Sequence, residues 1–433
     1  MKKVKLLEAI SVGIGGMVGG GIFAVLGLAV TSASGATPLA FVIAGIIAII
    51  TAYSYAKLAE VINSKGGTSS YLNKAYGINV FTGGTNNFLW LSYVVMLALY
   101  ASAFGSYAPN LFKIFSSQAV NYHFYLSLVI IISTVLNYLS VKAVAEIEKW
   151  AVLFKLVILL LFIAIGIYGL TSSNYVFQLG TSNWPNSVAI IAGGMLIFVA
   201  YEGFELIANI TPDIDKKENI KKSFMYSTLF VICLYVLIAV ITVGSVSYAL
   251  IQTAQDYVLA EAAKPVLGNF GFIMIVIAAL ISTFSAINAT IYGSSRINYE
   301  LAVDTELPHE FTVIIKNEPI GVVITAVLAL LIGNLIPLAN ISGIGSIGFL
   351  FIFALVNLSA YKLRKDLNGK NFLFLTGFIL TVIALGVLIY EQARSNYLTI
   401  VYTGLLLAVC FIFEYFYKRS GHHITPKLIR IKP

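Results

Sequence analysis

Lys155 stands in the middle of Ala151 to Leu170, an apolar run with no other charge that is long enough to cross a bilayer. A cation near the bilayer centre costs roughly 2.5 to 3.5 kcal/mol on insertion scales, and such groups usually face a bundle interior or a water-filled path. At about 1.5 Å per residue, Lys155 lies roughly 13 Å beyond the polar turn of Glu146, Glu148 and Lys149. The chemistry such an amine offers is proton exchange. The plainer alternative is a lysine that snorkels along its own helix to the interface. Two other segments carry chemistry. Phe198-Val199-Ala200-Tyr201-Glu202-Gly203-Phe204-Glu205 sets two carboxylates around a glycine inside another apolar run. Gly13-Ile14-Gly15-Gly16-Met17-Val18-Gly19-Gly20-Gly21-Ile22-Phe23 contains three consecutive glycines, each costing about 1 kcal/mol relative to alanine in a helix interior. Local unwinding is therefore expected there, and bare backbone at membrane depth is tolerated where it is buried in protein or lines a cavity. A small-residue helix-packing face is the alternative.

These residues need a membrane bundle to position them. Of 433 residues, 59% are hydrophobic and 11% charged, and the mean hydropathy is +0.91. That excludes a soluble globule with a polar surface and specifies an integral membrane protein. Spans are predicted near residues 8–30, 38–62, 84–110, 124–143, 147–170, 186–210, 224–249, 268–295, 319–338, 341–361, 371–390 and 396–417, an all-α chain of about twelve transmembrane helices. Alternating the connections puts 23 of the 27 basic residues on one side and 3 on the other, with Lys155 in between. This asymmetry predicts an even number of spans with both termini cytoplasmic, in the cell membrane. The net charge of +8 then reports topology, with no nucleic-acid partner. The basic start followed by an apolar run imitates a secretory signal, but the run is too long for a signal core and many spans follow. Cys233 and Cys410 lie in apolar helices and read as packing residues. His123, His309, His422 and His423 fall in loops and the tail, and there is no cofactor motif or metal-ligating cluster. Asn86 and Asn87 read as bonds to neighbouring helices, and Glu300, Asp304, Glu306 and Glu310 as cytoplasmic surface charge.

The two interruptions fall at the openings of the first and sixth spans. A repeat of five helices reverses direction through the membrane, so the halves form an inverted repeat. At the first break, freed amides and a half-helix N-terminus suit a carboxylate, while unwound carbonyls in both breaks suit an ammonium. An α-amino acid carries both groups.

On these residues the chain resembles the amino acid, polyamine and organocation (APC) transporter superfamily. Its first-helix pattern stands here as Gly16-Met17-Val18-Gly19-Gly20-Gly21-Ile22-Phe23, its sixth-helix pattern as Tyr201-Glu202-Gly203-Phe204-Glu205, and its second-helix exit as Gly66-Gly67-Thr68-Ser69-Ser70-Tyr71. Asn288-Ala289-Thr290-Ile291-Tyr292-Gly293, with Leu307-Pro308 beyond, is similar to the ApcT-like archaeal proton-coupled amino acid permeases. The resemblance implies a LeuT-like fold: a first repeat over residues 1–170, an inverted second over 171–365, and accessory helices with a basic tail over 366–433. It implies a substrate carboxylate on the Gly19, Gly20 and Gly21 amides, and an ammonium on the carbonyls of Met17, Val199 and Glu202. Ala200, Tyr201, Gly203 and Tyr93 would line the site. Lys155 would stand in for a coupling sodium, facing the Gly15 and Val18 carbonyls and the Ser285 hydroxyl, and Glu205 falls at a recurrent acid that takes part in proton response. The sequence departs from the family at Thr211-Pro212-Asp213-Ile214-Asp215-Lys216-Lys217, where many members carry paired glutamates, and at Glu202, where many carry an aliphatic residue. A Glu202 side chain facing the site would favour a cationic substrate.

The reading that follows is a secondary transporter of amino acids, not an enzyme, working as a proton symporter by alternating access with Lys155 as coupling group. An exchanger of amino acids or polyamines is the alternative, and a non-transporting amino acid sensor a remoter one. Which amino acid is carried and the oligomeric state are not written in the sequence.

Overall fold

A computed structural model describes residues 3–64, 66–139, 141–315 and 318–419. His422 and His423 lie outside the described residues. The α-helices are, in order, α1 Leu6–Met17, α2 Gly21–Ala33, α3 Thr37–Val61, α4 Thr68–Tyr76, α5 Val80–Tyr107, α6 Gln118–Leu139, α7 Val141–Leu170, α8 Ser187–Leu196, α9 Leu206–Ile210, α10 Lys217–Ser245, α11 Tyr248–Thr253, α12 Val258–Val303, α13 Gly321–Leu335, α14 Leu338–Lys362, α15 Asn371–Ser395 and α16 Tyr397–Arg419. Among the described residues the strand pairing is limited to a two-residue antiparallel pair, Ile314–Ile315 with Glu318–Pro319, and an isolated parallel bridge of Val4 with Ile214. Among the described residues nine helices are long and apolar enough to cross a membrane, or ten with the pair bent by 47° at residue 197. Each predicted span coincides with one helix or one broken pair; α1 and α13 are the two that fall short on length.

The two broken segments are held among long helices that pack on one another. α10 packs on α1 and α3, and α3 on α8; α5 packs on α6, α12 and α13, with α7 set against α12 and α10. Large aromatics fill the space between α3, α10, α14 and the segment after α8: Phe41, Tyr55, Tyr201, Phe204, Phe224, Tyr235 and Phe349 are all fully buried. The outer faces are apolar, with Leu160, Leu161, Leu405, Val409 and Ile412 exposed, as lipid requires and water would penalise.

Both expected breaks are present. α1 stops where the Val18 amide donates to the Ile14 carbonyl at 2.7 Å, and Val18 leaves the helical region at φ −79°, ψ 49°. α2 restarts at Gly21 with Gly20 as its cap. At the second break, α8 gives way to a 3-10 turn over Phe198–Tyr201, Glu202 is extended at φ −63°, ψ 144°, and Gly203 takes φ +120°. Backbone groups freed in an apolar interior need substitutes. The Ser346 hydroxyl provides two, accepting from the Val199 amide at 3.2 Å and donating to the Leu196 carbonyl at 2.8 Å.

One polar cluster corrects the surface assignment of Glu306, which is fully buried. Thr305 at φ +60° turns the chain after α12, and the Glu306 amide donates to the Leu301 carbonyl at 2.8 Å. Its carboxylate accepts from Asn86 at 2.8 Å, and Asn87 donates to the Glu306 carbonyl at 3.2 Å and to Glu414 at 3.1 Å. The two asparagines thus join neighbouring segments as expected. Burial, followed by the negative charges of Glu414 and Asp304, pushes the Glu306 carboxyl up to about 7, against the opposing pull of Asn86 and Lys418. An unfolded carboxyl titrates near about 4.3, so the folded form binds its proton more tightly. The stabilisation is complete below about 4.3 and is lost as pH rises through about 7, on the order of 3 kcal/mol in all. We expect the melting temperature in detergent to fall between pH 5 and 8 and the fall to flatten in Glu306→Gln. An equally steep fall in the variant would rule this assignment out.

Candidate functional site

Lys155 is fully buried, and its ammonium donates to the Gly15 carbonyl at 3.0 Å, just before the break in α1. Glycine favours that approach, since a methyl at position 15 would come within 2.9 Å of a Val152 methyl, which would have to give way. The snorkelling alternative is therefore not what the fold adopts. Glu148, seven residues earlier on α7, is half-buried on the same face and acts on Lys155 through its charge. Its carboxylate accepts from the Ser285 hydroxyl of α12 at 2.6 Å. The expected ring around Lys155 is thus rearranged: Gly15 bonds it directly, and Ser285 is engaged by Glu148. The Val18 carbonyl accepts from Ser282, one turn earlier on α12, at 3.2 Å, and Ser282 also bonds the Gly19 carbonyl at 2.7 Å. The amine, the unwound end of α1 and the middle of α12 are still joined.

The second cluster is acidic. Glu205 accepts from the Tyr93 hydroxyl at 3.1 Å and from the Gly203 amide at 2.8 Å, while Glu202 accepts from the Tyr100 hydroxyl at 3.1 Å. Both carboxyls are buried, on either side of Gly203. Gly16 and Gly203 make the crossing of the two breaks close, since a methyl on Gly16 would sit 2.7 Å from the Gly203 carbonyl oxygen.

A cavity of about 20 Å³ lies at this crossing, room for one water. Its walls are Gly15 and Gly16 of α1, Tyr93 and Tyr100 of α5, Glu202 and Leu206 of the second break, and Ala286, Ala289, Thr290, Gly293 and Ser294 of α12. Glu202 is thus one of the walls, and its carboxylate bonds Tyr100, another of them, a placement that the sequence alone leaves undecided. Of the other expected site residues, Tyr93 and Gly15 line the cavity; Met17, Val18, Gly19, Gly20, Gly21, Val199, Ala200, Tyr201, Gly203 and Glu205 do not. They pack as the wall behind it, with the Met17 carbonyl accepting from Tyr235 at 2.7 Å, Tyr201 donating to the Phe41 carbonyl at 2.8 Å, and Gly20 against the Tyr100 ring.

Tyr100, Glu148 and the α12 lining are absent from the expected set. Two signals pointed to them: Tyr100 lies seven residues after Tyr93 and Glu148 seven before Lys155, spacings that return to the same helix face. Ala289, Thr290 and Gly293 fall within the span-eight motif already noted.

The amino acid permease family model matches residues 4–430. An uncharacterized protein of Methanocaldococcus jannaschii is 35% identical over 431 residues, covering 96% of each chain. The inner membrane transport protein YbaT of Escherichia coli is 30% identical over 392 residues, covering 90% of each chain. The aromatic amino acid transport protein AroP of Corynebacterium glutamicum is 24% identical, covering 83% of this chain and 81% of its own.

Proposed function

The chain belongs to the amino acid permease family, a family of multi-pass membrane transporters rather than enzymes, and on that premise we propose that it carries an amino acid by proton symport, with Lys155 as the coupling group. The observation that carries this reading is the buried Lys155 ammonium 3.0 Å from the Gly15 carbonyl, at the point where α1 unwinds. Protonated, the amine ties α7 to α1, while Glu148 links α7 to α12. Neutral, it loses its charge-assisted bond and α1 is free to move relative to α7. Residues 1–170 and 171–365 act as the two repeats and 366–433 as the accessory part, in the cell membrane with both termini cytoplasmic.

The substrate carboxylate is held on the Gly19, Gly20 and Gly21 amides and its ammonium on the Met17, Val199 and Glu202 carbonyls. A 20 Å³ cavity holds no amino acid, so loading requires α1 and α9 to separate from α12. This form is then a closed one, and relative movement of the two repeats opens it.

Amino acids that bind this site should raise the melting temperature of the purified protein, by the equivalent of about 2.7 kcal/mol at a hundredfold excess over Kd. A thermal-shift screen of all amino acids in sodium-free buffer checks this. No stabilisation by any of them, or stabilisation only with sodium present, would defeat the reading.

A further inference from the structure

Glu202 and Glu205 present a problem of charge that the Lys155 site does not solve. Two carboxyls, each at most 4% exposed, flank Gly203 in the interior of a membrane protein, held there by the Tyr100 and Tyr93 hydroxyls, and two negative charges so placed call for a cation to balance them. Neither forms an ion pair with a basic side chain among the described residues. The titratable groups facing the pair are phenols: Tyr93 and Tyr100 of α5, Tyr55 of α3 and Tyr235 of α10. The nearby amine of Lys155 is committed to Gly15 and balanced by Glu148. An unbalanced pair of anions in so dry a place is costly.

Resting on the amino acid transport reading above, we propose that the Glu202–Glu205 pair binds one positive charge next to the substrate, either a proton or the side-chain cation of a basic amino acid. Glu202 is the member that reaches the cavity, and Glu205 is held behind it by Tyr93 and the Gly203 amide. With a neutral amino acid bound, the proton stays between the two carboxyls. With lysine or arginine bound, the ammonium or guanidinium takes the proton's place at Glu202 and the proton leaves to solvent. The balance is one cation in and one proton out. The site accepts both substrate classes, and the pair distinguishes them by what each does to its proton.

The test is proton release on binding, measured calorimetrically on the purified wild-type protein near neutral pH in two buffers of different ionisation enthalpy. Lysine binding should release close to one more proton than alanine binding does. Glu202→Gln should abolish that difference and weaken lysine at least about tenfold more than alanine. Equal proton release for the two ligands in the wild type would overturn the proposal, as would a variant in which both ligands weaken alike. A wild type that binds neutral amino acids but neither lysine nor arginine would also overturn the proposal, whereas a wild type that binds no amino acid of the thermal screen would mean that the transport reading itself has failed, a distinct result. The wild-type measurement stands even where the variant does not fold.

Discussion

Replacing Gly203 by alanine should leave little or no folded, transporting protein. Position 203 holds φ +120°, a region that residues with a Cβ rarely adopt, and an added methyl would lie 2.5 Å from the Met17 amide nitrogen and closer still to the Gly16 carbonyl carbon. Backbone strain of this kind costs about 1–3 kcal/mol by itself. The clash comes on top, and it is with backbone rather than with the end of a mobile side chain, so the two breaks must move apart for the methyl to fit. Those breaks are the proposed binding site, and stability and transport should fall together. Gly16→Ala attacks the same crossing from the other side, 2.7 Å from the Gly203 carbonyl oxygen, without the strain in φ. It should be milder in melting temperature and nearly as severe in uptake. Gly386→Ala on α15, where an added methyl meets nothing within 4 Å, serves as the control and should behave as wild type. Melting curves and uptake into proteoliposomes decide the matter. Normal uptake by Gly203→Ala would show that the crossing of the breaks is not needed for transport.

Lys155→Ala carries the second large effect, and on coupling rather than on folding. Truncation removes the donor to the Gly15 carbonyl and leaves Glu148 without its counter-charge. Uptake should fall by about a hundredfold, the order expected when a positioned proton-transfer group is lost, and what remains should no longer respond to a pH gradient. Lys155→Arg separates charge from titration. A guanidinium keeps the positive charge but does not give up its proton in proteins, so it should hold the coupled conformation and block turnover without restoring pH dependence. Activity in Lys155→Arg comparable to wild type would reduce the lysine to a fixed strut.

Much of this site was visible in the amino-acid order, for definable reasons. A charge in an apolar run and three adjacent glycines are violations of local rules, and violations stand out without any knowledge of the fold. Lys155, the break at residues 18 to 20 and the break around Gly203 were legible on that basis. Helix rotation was not. Ser282 and Ser285 share a face of α12 one turn apart, and nothing in their order says which meets the α1 carbonyl and which meets Glu148. Glu148 looked like part of a polar turn because Glu146 and Lys149 surround it, yet it lies on the Lys155 face of the same helix. The direction of the Glu202 side chain depends on its own extended backbone and on its partner Tyr100, which comes from α5, about a hundred residues earlier. Glu306 was hidden for a different reason. Its burial comes from α5 and α16, more than 100 residues away on either side, and local composition around residues 300–310 reads as surface.

The most direct measurement follows pH inside sodium-free proteoliposomes that start with no imposed gradient. On adding the amino acid that stabilises the protein best in the thermal screen, the lumen of wild-type vesicles should acidify as the substrate enters, and vesicles carrying Lys155→Ala should show no such change. Substrate accumulation without acidification, or acidification that survives loss of the amine, would contradict the account.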